Sequence, residues 1–169
     1  MDDTFWIFVF DTIYYPLSNL DFSKLYTMAE NYSQTVHISS TPFAAFKALT
    51  QEVMKWWGSV DRDVAQVGDQ FTITFGEAYW SFEIIEFKKD EKVTWKVVDG
   101  QPELNNEWIG HILEWTIEQI GNEIQVSLYQ NGLTRELPCY DVCSAAWDRF
   151  ILSSLKKYLE TGVGEPALI

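Results

Sequence analysis

From Phe71 to Leu128, large apolar side chains recur at every second position in five runs, and after Asp141 their spacing lengthens to three and four. A period of two puts alternate side chains on opposite faces of a strand, and a period near three and a half makes one apolar stripe on a helix. A sheet with one apolar face must cover that face. The helix that follows it is the obvious cover.

The first run is Phe71, Ile73 and Phe75, alternating with Thr72 and Thr74. Trp80, Phe82 and Ile84 follow, and the adjacent pair Ile84-Ile85 shifts the phase, which predicts a bulge. Val93, Trp95 and Val97 come after a Lys89-Asp90-Glu91 turn. Leu113, Trp115 and Ile117 are joined through Gly121-Asn122 to Ile124, Val126 and Leu128. Hairpins with one wet face are the mark of an antiparallel meander.

Upstream, Tyr32 to Ile38 reads as a first strand. Thr41-Pro42 gives a helix start, a hydroxyl cap before proline at the first helical position. Phe43, Phe46, Leu49, Val53 and Trp57 line one face of this segment, which is expected to break near Thr50 into two short helices and to close at Gly58. At the other end, Cys143, Trp147, Phe150, Ile151, Leu155, Tyr158 and Leu159 form the stripe of a helix over 141–160. Asp141 is placed to cap it and Gly162 to end it.

These elements make one α+β domain over residues 28–169. Residues 1–27 stand apart, either as an arm whose aromatics pack on the domain or as an upstream extension before Met28. The apolar run from Phe5 to Phe10 follows Asp2 and Asp3, lacks a positive leader and is too short to span a bilayer, so membrane insertion is not expected. The 25 acidic side chains against 12 basic ones, a formal net charge of −13, repel a phosphate backbone and argue against nucleic acid as a partner. Cys139 and Cys143 lack the further ligands that a zinc site needs; they read as two small buried thiols of a reducing, cytoplasmic compartment. No metal or cofactor is implied.

The stretch from Thr41-Pro42 through Trp56-Trp57, then Gly68 before a Phe-rich strand, Trp95 and Gly132-Leu133 resembles the homologues of the heat-shock-protein-90 ATPase activator. The closing stretch with Trp147, Leu155, Lys156, Tyr158, Leu159, Glu160, Gly162 and Pro166 is similar to that family's final helix and tail. The resemblance covers roughly residues 32–166. It implies the helix-grip fold of the START and birch-pollen-allergen superfamily: a curved antiparallel sheet around a long C-terminal helix, with a hydrophobic cavity between them. One departure is Ala146, where such domains often carry glycine before the helix tryptophan; the extra methyl would narrow the cavity or shift the helix. The family's association with a chaperone and with stress responses enters only through this resemblance; the expected assembly is a monomer or a homodimer.

Eight Trp and eleven Phe either fill an unusually bulky core or line a cavity that the core does not fill. The inward positions gather Phe75, Trp80, Phe82, Trp95, Leu113, Trp115, Trp147 and Phe150 around the expected cavity, with Trp56 and Trp57 at one mouth. His111 or Tyr129 would supply a hydrogen bond. His111 shares a face with Leu113, Trp115 and Ile117; it either looks into the cavity as a base of near-neutral pKa, or lies at the strand's open end in water or against a nearby carbonyl. Glu77, Glu83 and Glu107 are candidate acids near the rim, more in keeping with solvated side chains. No nucleophile elbow, HExxH helix, phosphate loop or dinucleotide fingerprint occurs. The leading expectation is therefore a binding module for a small hydrophobic molecule. Its rivals are a chaperone-interaction module using the acidic surface, and a cyclase-like or hydrolytic enzyme with His111 beside a carboxylate.

Overall fold

The computed structural model describes residues 30–101 and 107–167; the expectations for residues 1–27 fall outside them. Its elements run β1 (Asn31–Ile38), α1 (Pro42–Thr50), a 3-10 turn (Val53–Lys55), β2 (Ser59–Val60), β3 (Gln70–Phe75), β4 (Ala78–Lys88), β5 (Lys92–Gln101), β6 (Ile112–Ile120) and β7 (Glu123–Thr134). A continuous helix closes the domain: α2 (Tyr140–Arg149), a π-helical stretch (Phe150–Leu155) and α3 (Lys156–Thr161).

The seven strands form one antiparallel sheet in the order β1-β7-β6-β5-β4-β3-β2. Consecutive strands from β2 to β7 pair as hairpins, and the chain's first strand returns beside its last. The sheet curls into a half-barrel around the final helix, the α+β helix-grip arrangement that the resemblance implies. Register shifts at Ser81/Phe82 and Ile84/Glu86 bend β4, the second of them at the Ile84-Ile85 pair where the alternation breaks. Asp90 turns the β4–β5 hairpin with a positive φ of 64°.

Local signals act as their chemistry requires. Thr41 caps α1 by accepting the Ala44 N–H at 3.2 Å, with Pro42 in the first turn. The helical segment breaks after Thr50, whose hydroxyl donates to the Phe46 carbonyl. Gly162, at φ 80°, ends the last helix.

The terminal helix departs from expectation at two points. Cys139, not Asp141, occupies the N-cap and offers no side-chain cap, so Asp141 lies in the first turn, where its charge still complements the dipole. The stretch Phe150–Leu155 is π-helical rather than α-helical. There Ser154, fully buried, donates to the Trp56 carbonyl at 2.6 Å and accepts the Glu165 N–H at 2.7 Å. This hydroxyl ties the helix to the segment after α1 and to the C-terminal tail, where Ala167 N–H reaches the Trp57 carbonyl.

The core follows the period-two positions. Val93, Trp95, Val97, Leu113, Trp115, Ile124, Val126 and Leu128 of the sheet meet Ala45, Ala48 and Leu49 of α1 and Trp147, Ile151 and Leu155 of the closing helix. His37 faces out from β1, as its flanking Val36 and Ile38 require. Among the described residues no helix is long and apolar enough to cross a membrane.

Candidate functional site

Indole and phenyl rings pack between the sheet and the closing helix in two layers. The inner layer is sealed from solvent. Trp95 and Trp115 are fully buried with centroids 5.4 Å apart, and Trp56 stands edge-on to Trp115 at 5.8 Å. Phe82, also fully buried, packs on Trp95 at 5.6 Å. The outer layer leaves a gap. Trp57 meets Trp147 at 4.7 Å, Trp108 lies nearly parallel to Trp147 at 5.9 Å, and Trp80 meets Trp108 at 5.1 Å. Phe75 bridges Trp80 and Phe150, at 5.7 and 6.4 Å.

The gap is a pocket of about 350 Å³, within the range of small-molecule sites. Phe75 of β3 and Trp80 of β4 line it together with Trp57, after the 3-10 turn, and Trp108 of the β5–β6 connection. Pro138, Cys139, Val142, Cys143, Ala146, Trp147 and Phe150 form its helix side. No charged side chain and no imidazole belongs to this described lining. Large flat rings on a curled sheet cannot interdigitate as aliphatic side chains do, and the space they fail to fill opens at the helix N-terminus.

Of the residues expected at a cavity, Trp57, Phe75, Trp80, Trp147 and Phe150 line the pocket. Trp56, Phe82, Trp95, Leu113 and Trp115 lie behind it in the core. Tyr129 stands on the sheet's outer face, 41% exposed, and accepts a hydrogen bond from the Asn31 amide. His111 is buried beside the pocket but is not part of its lining. Ala146 puts its methyl into the pocket lining.

The sequence reading missed Trp108, Pro138, Cys139, Val142 and Cys143 as lining residues. Trp108 sits in a polar connection with no periodic pattern to give it a face. Its one signal was being the single large apolar side chain there; it is 4% exposed.

His111 owes its place to a buried amide. The Gln130 Nε2–H donates to His111 Nδ1 at 3.1 Å, and Gln130 Oε1 accepts the Trp147 Nε1–H at 2.7 Å. Gln130 is fully buried, so this one side chain orients both an imidazole and a ring of the pocket wall. The bond to Nδ1 leaves the proton of neutral His111 on Nε2. The partner is thus an amide and not the carboxylate that an acid–base dyad would use.

Burial pushes the His111 imidazole below its ordinary pKa, and the nearby Glu107 carboxylate pulls it back only in part. The unfolded chain then binds a proton more readily than the folded one between His111's folded pKa and about 6.5. Stability should be fully present above that window and fall as pH drops through it. Urea midpoints measured at pH 7.5 and 5.5 should show this decline in the native sequence and a smaller one in His111→Asn. Equal declines in both proteins would remove His111 as the cause.

Burial also raises the pKa of both thiols at the pocket rim, and the Trp108 indole opposes the rise. Glu107 accepts the Cys139 N–H at 3.3 Å, so a carboxylate braces the helix N-terminus beside them.

Comparison with known proteins gives a family and a set of folds. The family model described as Activator of Hsp90 ATPase homolog 1-like protein matches residues 40–160. Among solved structures the chain is similar to the Aha1 dimer from Colwellia psychrerythraea, at 24% identity over 79% of this chain and 98% of that one, with a TM-score of 0.66. It is similar to DynU16, a protein of the dynemicin biosynthetic locus, at 16% identity over 81% of this chain and 50% of that one, TM-score 0.63. An HSP90 activator from Plasmodium falciparum shares 18% identity over 72% of this chain and 91% of that one, TM-score 0.57. At these identities the likeness is one of fold. No curated protein matches the chain.

Proposed function

The chain belongs to the family of Activator of Hsp90 ATPase homolog 1-like proteins, and from that premise we propose that it is a cytoplasmic binding module for a small apolar molecule seated between the sheet and the closing helix. The observation that carries this reading is the 350 Å³ pocket whose described lining is aromatic and aliphatic side chains, two thiols and no charge. A ligand hiding about 300 Å² of apolar surface there gains about 7 kcal/mol before the costs of association, the main favourable term at a site without an ionic anchor.

The test is direct. Native mass spectrometry of the purified protein, followed by solvent extraction, should reveal a co-purifying apolar compound. Titration with fatty acids, sterols and aromatic polyketides should quench the tryptophan emission. Ala146→Phe puts a ring into the pocket and should weaken the best of these ligands by at least about tenfold. Unchanged affinity in a folded Ala146→Phe protein would place binding elsewhere.

A second reading has its own support. The family match and the formal charge of −13 favour a chaperone contact through the acidic surface. It calls for association that weakens with salt and is indifferent to Ala146→Phe. The Colwellia protein is a dimer; sedimentation of this chain across a concentration series would distinguish monomer from homodimer.

A further inference from the structure

We propose that Cys139 and Cys143 form a chelating dithiol for a trivalent organoarsenical whose organic group lies in the aromatic pocket. The inference rests on the pocket being a ligand site and names a class of ligand for it. Both cysteines are free, and both line the pocket. The Cys143 N–H donates to the Cys139 carbonyl at 2.8 Å, so the two residues are one helical turn apart and present their side chains on the same face.

That spacing selects the bridging atom. Side chains at i and i+4 of a helix have Cβ atoms about 5–6 Å apart, whereas a disulfide draws them to about 3.5–4.5 Å. A direct sulfur–sulfur bond would require the turn to tighten. One atom bonded to both sulfurs, at about the 2.3 Å of a metal–thiolate bond, closes the same gap without that movement.

The number of ligands narrows the choice further. A zinc ion wants four ligands, and among the described residues no group of three or more His, Cys, Asp or Glu side chains converges. Trivalent arsenic that already carries one carbon substituent needs two sulfurs and nothing more.

Charge points the same way. Two thiolates on a monovalent soft cation leave a net negative charge in an apolar site, beside the Glu107 carboxylate that braces Cys139. The arsenical complex is neutral. An arsonous acid, RAs(OH)2, reacts with the two thiols so that two As–S bonds form and two As–O bonds break. Each thiol proton leaves with a hydroxide as water, and arsenic stays trivalent. No oxidant, reductant or stable thiolate is required. Burial keeps both thiols protonated at neutral pH, so each enters the exchange as S–H and gives up its proton to the departing hydroxide.

The pocket then supplies what the thiols alone lack. Trp57, Trp108, Trp147 and Phe75 line the space that an aryl or alkyl substituent would fill, so an organoarsenical should be held more tightly than inorganic arsenite.

Phenylarsine oxide and arsenite are the probes, read by intact-protein mass and by thiol titration of the full chain. The expected result is one phenylarsenic group per chain with two thiol hydrogens lost. The adduct should survive excess monothiol, be released by a dithiol, and form at least about tenfold more tightly than the arsenite adduct. Cys139→Ser and Cys143→Ser should each abolish resistance to monothiol, with circular dichroism confirming that both remain folded. Resistance retained in either variant, or equal affinity for the two probes, overturns the proposal. Titration of the native protein with arsenic-free fatty acids, sterols and polyketides separates the two readings. Binding of those with failure of phenylarsine oxide sinks the dithiol alone; failure of both sinks the pocket as well.

Discussion

Replacing Trp115 with alanine should lower the unfolding free energy by about 3–5 kcal/mol, the cost of deleting a large ring from a close-packed core. Trp115 is fully buried at the centre of the inner layer. It touches Trp95 of the neighbouring strand at 5.4 Å, Trp56 of the segment after α1 at 5.8 Å, and Trp147 of the closing helix at 5.7 Å. One ring thus joins the sheet, the segment after α1 and the closing helix. Among the described residues its indole N–H has no hydrogen-bond partner, so the loss is one of packing and not of a polar contact. A cavity at that junction cannot collapse without moving a strand or the helix, which places the expected cost toward the upper end of the range. For a domain of this size the melting temperature should fall by about 10 °C or more. Chemical denaturation with an unchanged m-value would establish the free-energy difference. A loss below about 1 kcal/mol would mean that Trp115 does not hold these elements together.

The same residue shows how far the sequence could be read. Alternation places Trp80, Trp95 and Trp115 on one face of the sheet, and the structure has all three pointing inward. Alternation is a property of one strand, however, and it cannot tell how deep an inward side chain lies. Depth depends on the curl of the whole sheet and on where the helix rests. Trp80 therefore lines the pocket while Trp95 and Trp115 are sealed behind it. Trp108 was beyond reach for the opposite reason: a residue in an aperiodic connection acquires a face only through tertiary contact. The π-helical stretch was hidden too. The spacing of Trp147, Phe150, Ile151 and Leu155 fits an α-helical stripe, and nothing local marks the wider turn.

His111 is the more instructive case. It stands one residue before β6 and is buried, and a lone histidine on an apolar face is ambiguous between a base and a satisfied core residue. What decides its environment is Gln130, nineteen residues away in sequence and fully buried. In a strand whose Ile124, Val126 and Leu128 point inward, Gln130 takes the next inward position. A polar residue on a buried face demands partners, and here it finds two. That is a signal present in the sequence, legible to a reading that follows the alternation two residues past Leu128.

Gly132 tests this network most sharply, and Gly132→Ala should destabilise the domain by about 2–5 kcal/mol, combining a strained backbone with a displaced buried ring. The residue sits in β7 at φ 109°, a region that L side chains rarely adopt. A methyl group there would run into the His111 ring, lying 2.6 Å from Nε2. The ring cannot simply retreat, because Gln130 holds its Nδ1 and Trp108 stacks on it at 6.5 Å. Moving the imidazole would pull on the Gln130 amide, and through it on Trp147. The two costs are separable. His111→Ala removes the ring and relieves the collision but leaves the backbone strain untouched. Gly132→Ala should therefore cost markedly less in the His111→Ala background than in the native one, by more than about 0.5 kcal/mol of coupling. Strict additivity in that double-mutant cycle would show that the glycine serves its own backbone alone and that no side chain leans on it.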